Sequence, residues 1–238
     1  MADAANIEPG ETVLEIGPGS GALTEVLLAR GAHVVAIEKD ARLIPLLQEK
    51  FAQEIAAGSF VLHESDALEI DVKKLGMRAG EYKAVGNIPY YITGALFKKF
   101  LSGPIQPNTL VFLIQKEVAQ RIAKNKKESI LSLSIKAYGE VVYVKTVPRG
   151  AFTPAPDVDS AVLLVKHISR KNFVDQQHEE QFFALVKNGF AQKRKLLKRN
   201  IEGMMGHSIV EKMLAAGITE NARAEDVSLE QWLVLSKN

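Results

Sequence analysis

The chain has 238 residues, of which 47% are hydrophobic and 24% charged, and its formal net charge is +2. This length and composition allow one large domain, or one domain with a small appendage. The absence of cysteine excludes disulfides, thiolate metal sites and cysteine nucleophiles, and we expect no bound metal. The N-terminus lacks the features of a secretion signal, and no apolar run approaches the roughly 20 residues of a membrane span. We therefore expect a cytoplasmic protein that does not bind membranes.

The first 115 residues alternate between short apolar strands and helical patterns. Strands are predicted at residues 12–16, 34–38, 60–63, 82–86 and 110–114, and helices at residues 22–30 and 42–51. Strands that are apolar throughout and separated by helices are typical of a parallel sheet covered on both faces.

The pattern changes in the second half of the chain. Residues 141–144 and 160–165 predict an antiparallel hairpin at the sheet edge, joined by a stiff loop with three prolines at residues 148–159. From residue 172 onward only helices are predicted, two of them with Ser-x-x-Glu/Gln capping boxes at Ser208 and Ser228. The expected fold is therefore α/β: a mostly parallel seven-stranded sheet with an antiparallel edge hairpin, plus a small all-α C-terminal domain beginning near residues 169–172.

The first predicted strand ends in a glycine loop. Gly17, Gly19 and Gly21 follow Glu15 at spacings that make a tight turn and bring bare backbone close to a ligand. The same stretch satisfies the Gly-x-Gly-x-x-Ala pattern of dinucleotide enzymes, with Ala22 in the last position. Glu15 separates the two interpretations, because its carboxylate would meet the ammonium of an amino-acid moiety but would repel a pyrophosphate.

Two further carboxylates follow the next strands. Glu38 ends the second strand, where it could accept hydrogen bonds from ribose hydroxyls in either kind of cofactor. Asp66 follows the third strand, where it could accept a hydrogen bond from an adenine amino group or cap a helix. Ligands of open α/β sheets collect at the carboxyl ends of the strands, so three acidic residues at successive strand ends favour a ligand site.

The fourth strand runs into Asn87-Ile88-Pro89-Tyr90. Asn and Pro both favour turns, so a strand-ending turn is one interpretation. The other is an amine site: the Asn87 side-chain oxygen and a carbonyl of Ile88 or Pro89 can bind the two hydrogens of a purine amine. Tyr90 would stack on the base, which contributes roughly 1–3 kcal/mol. A base in structured nucleic acid would have to leave its stack to reach this loop.

Together these motifs resemble the KsgA-type small-subunit ribosomal RNA adenine dimethyltransferases. The resemblance extends from about Asn6 to the C-terminus. It is carried by residues 13–21, 86–90, 113–118, 152–162, 189–195 and 223–226.

The resemblance implies a Rossmann-like methyltransferase domain at about residues 1–170 and a helical domain at about residues 171–238. It implies S-adenosyl-L-methionine as the donor and S-adenosyl-L-homocysteine as the product. The expected substrate is the 6-amino group of two adjacent adenosines near the 3′ end of small-subunit rRNA, in an immature small ribosomal subunit, with the enzyme acting as a monomer.

The candidate residues fall into two sets. The expected cofactor contacts are Glu15, Gly17, Gly19, Gly21, Glu38, Lys39, Asp66, Ala67 and Asn87. The expected target-amine site comprises Asn87, Ile88, Pro89, Tyr90 and Phe152. Phe152 would be the second stacking face for the adenine, although a hydrophobic plug in the proline-rich loop is the other interpretation of this residue.

One departure from the family concerns the N-terminus. Family members begin with a segment containing a Gln-x-Phe-Leu motif that folds over the cofactor, and this sequence begins after that point. We therefore expect weakened cofactor binding, because fewer groups would cover the ligand.

The C-terminal part of the chain is the more basic. Residues 1–100 contain ten Lys or Arg and fourteen Asp or Glu, whereas residues 101–238 contain twenty and fourteen. Two clusters are predicted to contact RNA phosphates, the second of them along a single helix; a solvated helix face explains the same pattern. The candidate RNA-binding residues are Lys116, Arg121, Lys193, Arg194, Lys195, Lys198 and Arg199.

Three alternatives remain open from the sequence. A methyltransferase of the macrolide-resistance type, acting on large-subunit rRNA, would share the same loop chemistry. A non-catalytic RNA or ribosome-assembly binding module would keep the RNA contacts without methylation. A nicotinamide dehydrogenase fits the glycine loop alone, since nothing after residue 60 supports hydride transfer.

Overall fold

The computed structural model describes residues 1–237, which form two compact units. The first comprises Met1–Ala119 and Gly139–Ser169, and the second comprises Gln120–Tyr138 and the residues from Arg170 onward. Residues 120–138 thus group with the C-terminal helices, although they precede the predicted linker near residues 169–172. Within the described residues, no helix combines the length and apolarity that crossing a bilayer requires.

The first unit contains a seven-stranded sheet in the order β3-β2-β1-β4-β5-β7-β6. Its strands are β1 (Thr12–Ile16), β2 (His33–Glu38), β3 (Phe60–Glu64), β4 (Tyr82–Asn87), β5 (Thr109–Gln115), β6 (Glu140–Val147) and β7 (Ser160–Lys166). The first five strands are mutually parallel, and β7 runs antiparallel to both β5 and β6. The mostly parallel sheet with an antiparallel edge hairpin, predicted from the apolar runs, is confirmed.

The strand order reverses around β1, which lies between β2 and β4. In open parallel sheets such a reversal leaves a crevice at the carboxyl ends of the strands, where ligands bind. β1 and β4 approach each other closely there: a Cβ atom on Gly86 would lie 2.7 Å from the Ile16 carbonyl oxygen, so only glycine fits. This close approach brings the ends of β1 and β4, and the loops that follow them, side by side.

The helices of the first unit are α1 (Ala22–Ala29), α2 (Ile44–Lys50), α3 (Ala52–Ala56), α4 (Thr93–Ser102) and the first half of α5 (Lys116–Ala123). The helix predicted over residues 42–51 is confirmed as α2, which ends at Phe51, whose backbone is not helical; the short α3 that follows was not predicted. The Phe51 ring packs edge-on against Phe60, with ring centroids 5.1 Å apart, and lies directly against Gly21. This packing fixes Phe51 and ends α2.

The second unit contains α6 (Ile130–Lys136), α7 (Gln176–Gly189), α8 (Leu197–Met205), α9 (Ile209–Ala215) and α10 (Leu229–Leu235). An aromatic cluster centred on Tyr138, Phe173 and Phe182 forms part of its core. The fully buried Trp232 stacks on Phe190 at 6.1 Å.

The two predicted capping boxes of this unit have different outcomes. Ser228 accepts from the Gln231 backbone N–H, and the Gln231 side chain accepts from the Ser228 N–H, so this box is confirmed. The box predicted at Ser208 was wrong. Ser208 ends a 3-10 turn with φ −83° and ψ 9°, outside the extended conformation that a capping serine adopts, and its side chain makes no cap hydrogen bond.

Candidate active site

The glycine loop between β1 and α1 follows a left-handed path that the glycines permit. Gly17, Gly19 and Gly21 have φ values of +66°, +58° and +81°, in the region that side chains disfavour. A Cβ atom on Gly19 would meet nothing within 4 Å, whereas one on Gly21 would collide with the Phe51 ring at 2.5 Å. Gly21 therefore allows close packing against Phe51, whereas Gly19 leaves bare backbone facing open space.

Glu38, at the end of β2, holds this loop in place. One carboxylate oxygen accepts from the Gly19 backbone N–H at 3.1 Å, and the other accepts from the Asp40 N–H at 2.9 Å. The side chain is buried, with 7% exposure. The carboxylate that was predicted to bind a ribose thus also fixes the backbone to which the cofactor would bind.

Glu15 lies buried at the end of β1, one residue before Ile16 and the glycine loop. Its carboxylate accepts a hydrogen bond of 2.7 Å from the hydroxyl of Thr24 on α1, which is fully buried. The pKa of the Glu15 carboxyl is raised to about 7, mainly by burial; the Thr24 hydrogen bond acts in the opposite direction, and the nearby Glu38 contributes a smaller increase. A cationic group placed beside Glu15 would relieve this penalty, as predicted for the ammonium of an amino-acid moiety.

Asp66 lies after β3 in a turn that contains Ala67, which is buried. One carboxylate oxygen accepts from the Leu68 backbone N–H at 2.8 Å, and the other pairs with the Lys39 ammonium at 2.7 Å. The Lys39 hydrogen bond and then that of Leu68 lower the pKa of Asp66. No α-helix begins here, so Asp66 caps a turn and not a helix. Lys39 and Asp66, both predicted cofactor contacts, are brought together.

The Asn87 loop follows β4 beside the glycine loop. The backbone oxygen of Asn87 would lie 3.7 Å from a Cβ atom on Gly17, so the two loops are adjacent. Asn87 and Pro89 are exposed, whereas Ile88 is buried and anchors the loop. A 3-10 turn then leads into α4, where the Thr93 hydroxyl donates to the Tyr90 carbonyl at 2.9 Å.

Tyr90 and Phe152 are held by different contacts. The Tyr90 hydroxyl shares a hydrogen bond of 2.8 Å with the hydroxyl of Ser160, the first residue of β7. Phe152 packs against the hydrophobic core of the first unit and is only partly buried. Asp159 fixes the proline-rich loop that contains Phe152, because its side chain accepts a hydrogen bond from the Arg149 N–H and pairs with Lys116, both at 3.2 Å.

The basic candidates are more dispersed than predicted. Lys116 pairs with Asp159 in the first unit, and Arg121 is exposed on α5. The helix predicted to carry the second cluster begins only at Leu197, so the placement of the whole cluster on one helix was wrong. Lys193, Arg194 and Lys195 are exposed in a turn between α7 and α8. On α8, Lys198 pairs with Glu220, and the exposed Arg199 lies 3.9 Å from Glu202.

The turn has a clear physical cause. α7 ends at Gly189, where a Cβ atom would lie 2.4 Å from the Trp232 ring. The Asn200 side chain donates to the Gly189 carbonyl at 2.6 Å and to the Gln192 carbonyl at 3.2 Å. These contacts from distant residues reverse the chain, and a helical periodicity in the sequence does not reveal them.

No sequence pattern pointed to Thr24, Ser160 or Lys99 as members of this region. Thr24 holds Glu15 and Ser160 holds Tyr90 by hydrogen bonds. Both are buried hydroxyl residues in otherwise apolar segments, and this is the sequence feature that could have indicated a polar partner. Lys99 holds the turn after Asp66 and is a lysine on the third turn of an amphipathic helix, which gives no signal at all.

A family model described as ribosomal RNA adenine dimethylase matches residues 1–238. A protein of Dehalococcoides mccartyi named ribosomal RNA small subunit methyltransferase A is 40% identical over 233 residues, which cover 96% of this chain and 79% of the relative.

Two solved structures resemble the chain along nearly its whole length. One is the 23S rRNA methyltransferase ErmE, with 28% identity and a TM-score of 0.78, covering 99% of this chain and 93% of that one. The other is a dimethyladenosine transferase from Plasmodium falciparum, with 24% identity and a TM-score of 0.80, covering 98% and 91%. The second likeness supports the fold alone.

Proposed function

Because this chain belongs to the ribosomal RNA adenine dimethylase family, we propose that it dimethylates the 6-amino groups of two adjacent adenosines near the 3′ end of small-subunit rRNA. The proposed donor is S-adenosyl-L-methionine, the product is S-adenosyl-L-homocysteine, and the substrate is the immature small ribosomal subunit. The family makes the chain an rRNA adenine dimethyltransferase; the donor, the subunit and the residue roles are our proposal.

The observation that carries the proposal is the adjacency of the two loops. The Gly17 backbone and the Asn87 carbonyl lie against each other at the reversal point of the sheet, between β1 and β4. A donor bound on the glycine loop would therefore have its reactive end beside a loop suited to hold an amine. Positioning two reactants in this way can lower a barrier by about 7–11 kcal/mol.

The residues at the strand ends fit a nucleoside that carries an amino acid. Gly19 presents bare backbone to open space, and the Glu38 carboxylate beside it can accept from ribose hydroxyls. Asp66, in its turn with Ala67 and paired with Lys39, would accept from the adenine amino group. Glu15 would offset the charge of the ammonium. When bound, S-adenosyl-L-methionine supplies a methyl group on a positively charged sulfur.

The target amine is assigned to the Asn87 loop. The Asn87 side-chain oxygen and a carbonyl of Ile88 or Pro89 would accept its two N–H hydrogens, which draws the nitrogen toward tetrahedral geometry and frees its lone pair. No side chain has to remove a proton first, because the amine can lose it after the methyl group is attached. Tyr90 would stack on the base, with its hydroxyl already fixed by Ser160, and Phe152 would supply the second face.

The RNA backbone is assigned to the basic residues, with the exposed turn of Lys193, Arg194 and Lys195 as its main contact in the second unit. Lys198 and Arg199 contribute beside it, and Arg121 and Lys116 lie on α5. Phosphate contacts of this kind position an RNA without reading its sequence. The sequence of the target is then selected by which adenosines can reach the Asn87 loop.

The test is methyl transfer from labelled S-adenosyl-L-methionine to purified ribosomal subunits that lack the modification. We expect label in adenosines of small-subunit rRNA and none in the large subunit. Label in the large subunit would favour the activity of the structural relative ErmE. RNA binding without any label would favour the non-catalytic binding module.

A further inference from the structure

The turn that carries Asp66 has little regular structure of its own. β3 ends at Glu64, and the next element is a short 3-10 turn at Val72–Leu75. Within the segment, the Asp66 carbonyl accepts from the backbone N–H groups of Glu69 and Ile70, and the Asp66 side chain accepts from Leu68. These contacts satisfy N–H donors but leave the carbonyls of Leu68 and Ile70 in need of donors from elsewhere.

Lys99 on α4 supplies those donors. Its ammonium donates to the Leu68 carbonyl at 2.9 Å and to the Ile70 carbonyl at 2.5 Å, across about thirty residues of sequence. The side chain is partly buried, and this burial lowers the pKa of Lys99, whereas Asp71 and Asp66 act in the opposite direction. A lysine that gives up part of its hydration for two backbone carbonyls fixes the conformation of that backbone.

The helix that presents Lys99 is itself firmly held. Phe97 and Phe100 of α4 pack against Phe112 of β5 at ring distances of 5.4 and 6.2 Å, and Phe112 pairs in register with Gly86 of β4. At its start, α4 follows the Asn87 loop, where the Thr93 hydroxyl holds the Tyr90 carbonyl. One rigid helix therefore contacts the amine loop at one end and the Asp66 turn near the other.

We propose that Lys99 is a positioning residue for the donor: it holds the Asp66 turn in the shape that binds the adenine. This assignment rests on the proposed function, because it takes Asp66 as the adenine contact. Lys99 acts only through the turn and does not touch the substrate.

The role predicts a specific kinetic pattern. In Lys99→Met the turn keeps its Asp66 contacts but loses both carbonyl anchors, so the donor must order the turn when it binds. Because the turn loses two charge-assisted hydrogen bonds, we expect the Kd for S-adenosyl-L-homocysteine and the KM for the donor to rise about tenfold. The value of kcat should change by less than about twofold, since the amine loop is unaffected.

The experiment compares five variants, one of them Asp66→Ala alone, by calorimetry with S-adenosyl-L-homocysteine and by methyl transfer. Lys99→Met tests the anchor, and Lys99→Arg should recover most of the affinity because it restores the charged donors. Lys98→Met is the matched control, since Lys98 is the exposed neighbour on the same helix. The double variant with Asp66→Ala tests the route of action: the effect of Lys99→Met should disappear in that background.

Hydrogen exchange separates a local from a global effect. We expect Lys99→Met to increase exchange in residues 66–71 while the sheet keeps its protection, and this result holds even if the variant melts at a lower temperature. The proposal is overturned if Lys99→Met binds the nucleoside as tightly as the unchanged chain, if its effect persists fully with Asp66→Ala, or if exchange increases throughout.

Failure of the proposed function has a different signature. If the unchanged chain binds S-adenosyl-L-homocysteine but Lys99→Met binds it equally well, the donor site stands and only the role of Lys99 is wrong. If the unchanged chain binds no such nucleoside, both the proposed function and this assignment are wrong.

Discussion

The carboxyl ends of the strands in the first unit and the basic turn of the second unit present functional residues in different ways. At the carboxyl ends of the strands, Glu38 and Asn87 occupy the last positions of β2 and β4 and Glu15 the last but one of β1, so the register of the sheet determines where they lie. In the second unit, Lys193, Arg194 and Lys195 lie in a turn whose shape is imposed by Trp232 and Asn200. A periodic backbone can be predicted from local sequence, whereas a turn held by remote side chains cannot.

The two regions would also bind their ligands through different interactions. The carboxyl ends of the strands would bind the donor and the amine by directed hydrogen bonds in a partly buried site. Small displacements of the bonding atoms would weaken these hydrogen bonds. The basic turn is exposed to solvent and would bind phosphates by charge, so salt would screen this attraction. Substitutions in the first region should therefore affect catalysis or donor affinity, and those in the second should affect RNA affinity alone.

The largest effect is expected from Asn87→Ala. The variant loses the acceptor that orients the target amine, and removal of one such oriented group typically costs 10²–10³-fold in kcat. RNA affinity should stay unchanged, because the phosphate contacts lie elsewhere. Methyl transfer and filter binding on the same preparation check this, with Asn221→Ala, at an exposed position of the second unit, as the control. Full activity of Asn87→Ala would remove the amine site from this loop.

The next effect concerns Glu15 and pH. Its pKa is about 7 in the folded chain and 4.5 in the reference state, so its contribution to stability is complete below pH 4.5 and is lost as pH rises through 7. Glu15→Gln has no such loss. Its advantage over the unchanged chain, measured by urea unfolding, should grow by about 3 kcal/mol between pH 4.5 and 8.

A saturating amount of S-adenosyl-L-homocysteine should reduce that advantage, because the ammonium of the ligand would offset the buried carboxylate. A difference between Glu15→Gln and the unchanged chain that stays constant with pH would contradict the burial of an ionisable Glu15. A stability difference that varies with pH but stays the same when the ligand is bound would contradict only the ammonium contact.

A third effect is expected from a pair of glycines. Gly19→Ala should weaken S-adenosyl-L-homocysteine binding by about tenfold, or about 1.4 kcal/mol, because its methyl group enters the open space assigned to the donor. Gly10→Ala is a matched control: Gly10 also has a positive φ and nothing within 4 Å of a Cβ atom. Both variants should lose similar stability from backbone strain, and only one should lose affinity. Equal affinities would place the donor away from Gly19.

The smallest effect is expected from the basic turn. Replacing Lys193, Arg194 and Lys195 together by alanine should weaken RNA binding uniformly across sequences. With about 0.7 released counterions per phosphate contact on single strands, the slope of log affinity against log salt should fall by about 2. Donor affinity should not change. Lys73→Ala with Lys74→Ala, in the first unit, is the control, and an equal effect there would mean that the turn has no special role.

The sequence predicted much of the first unit because parallel strands leave clear traces. β1 was predicted at its observed limits, and the other strands were placed within a few residues, since each is a short apolar run ended by polar or glycine residues. The strand-end residues of the candidate site could be named for the same reason. Their roles toward a ligand came from chemistry and from the family resemblance, and remain proposals.

The missed features depend on contacts between distant residues. The short helix α3 follows Phe51, which packs against Phe60 and Gly21, and the turn at residues 193–195 is held by Asn200 and Trp232. Lys99 is the clearest case, because nothing within its own helix indicates that its ammonium reaches the Asp66 turn. Local periodicity predicts where elements lie, but the identity of such supporting residues needs the folded chain.

The most direct test of the central claim is a crystal structure of the chain with S-adenosyl-L-homocysteine and adenosine. We predict the homocysteine nucleoside on the glycine loop, with its ribose at Glu38 and its adenine at Asp66. We also predict a second purine with its amine at Asn87 and its ring against Tyr90. Either ligand bound away from the carboxyl ends of β1 and β4, or a Tyr90 ring turned away from the second purine, would contradict the account.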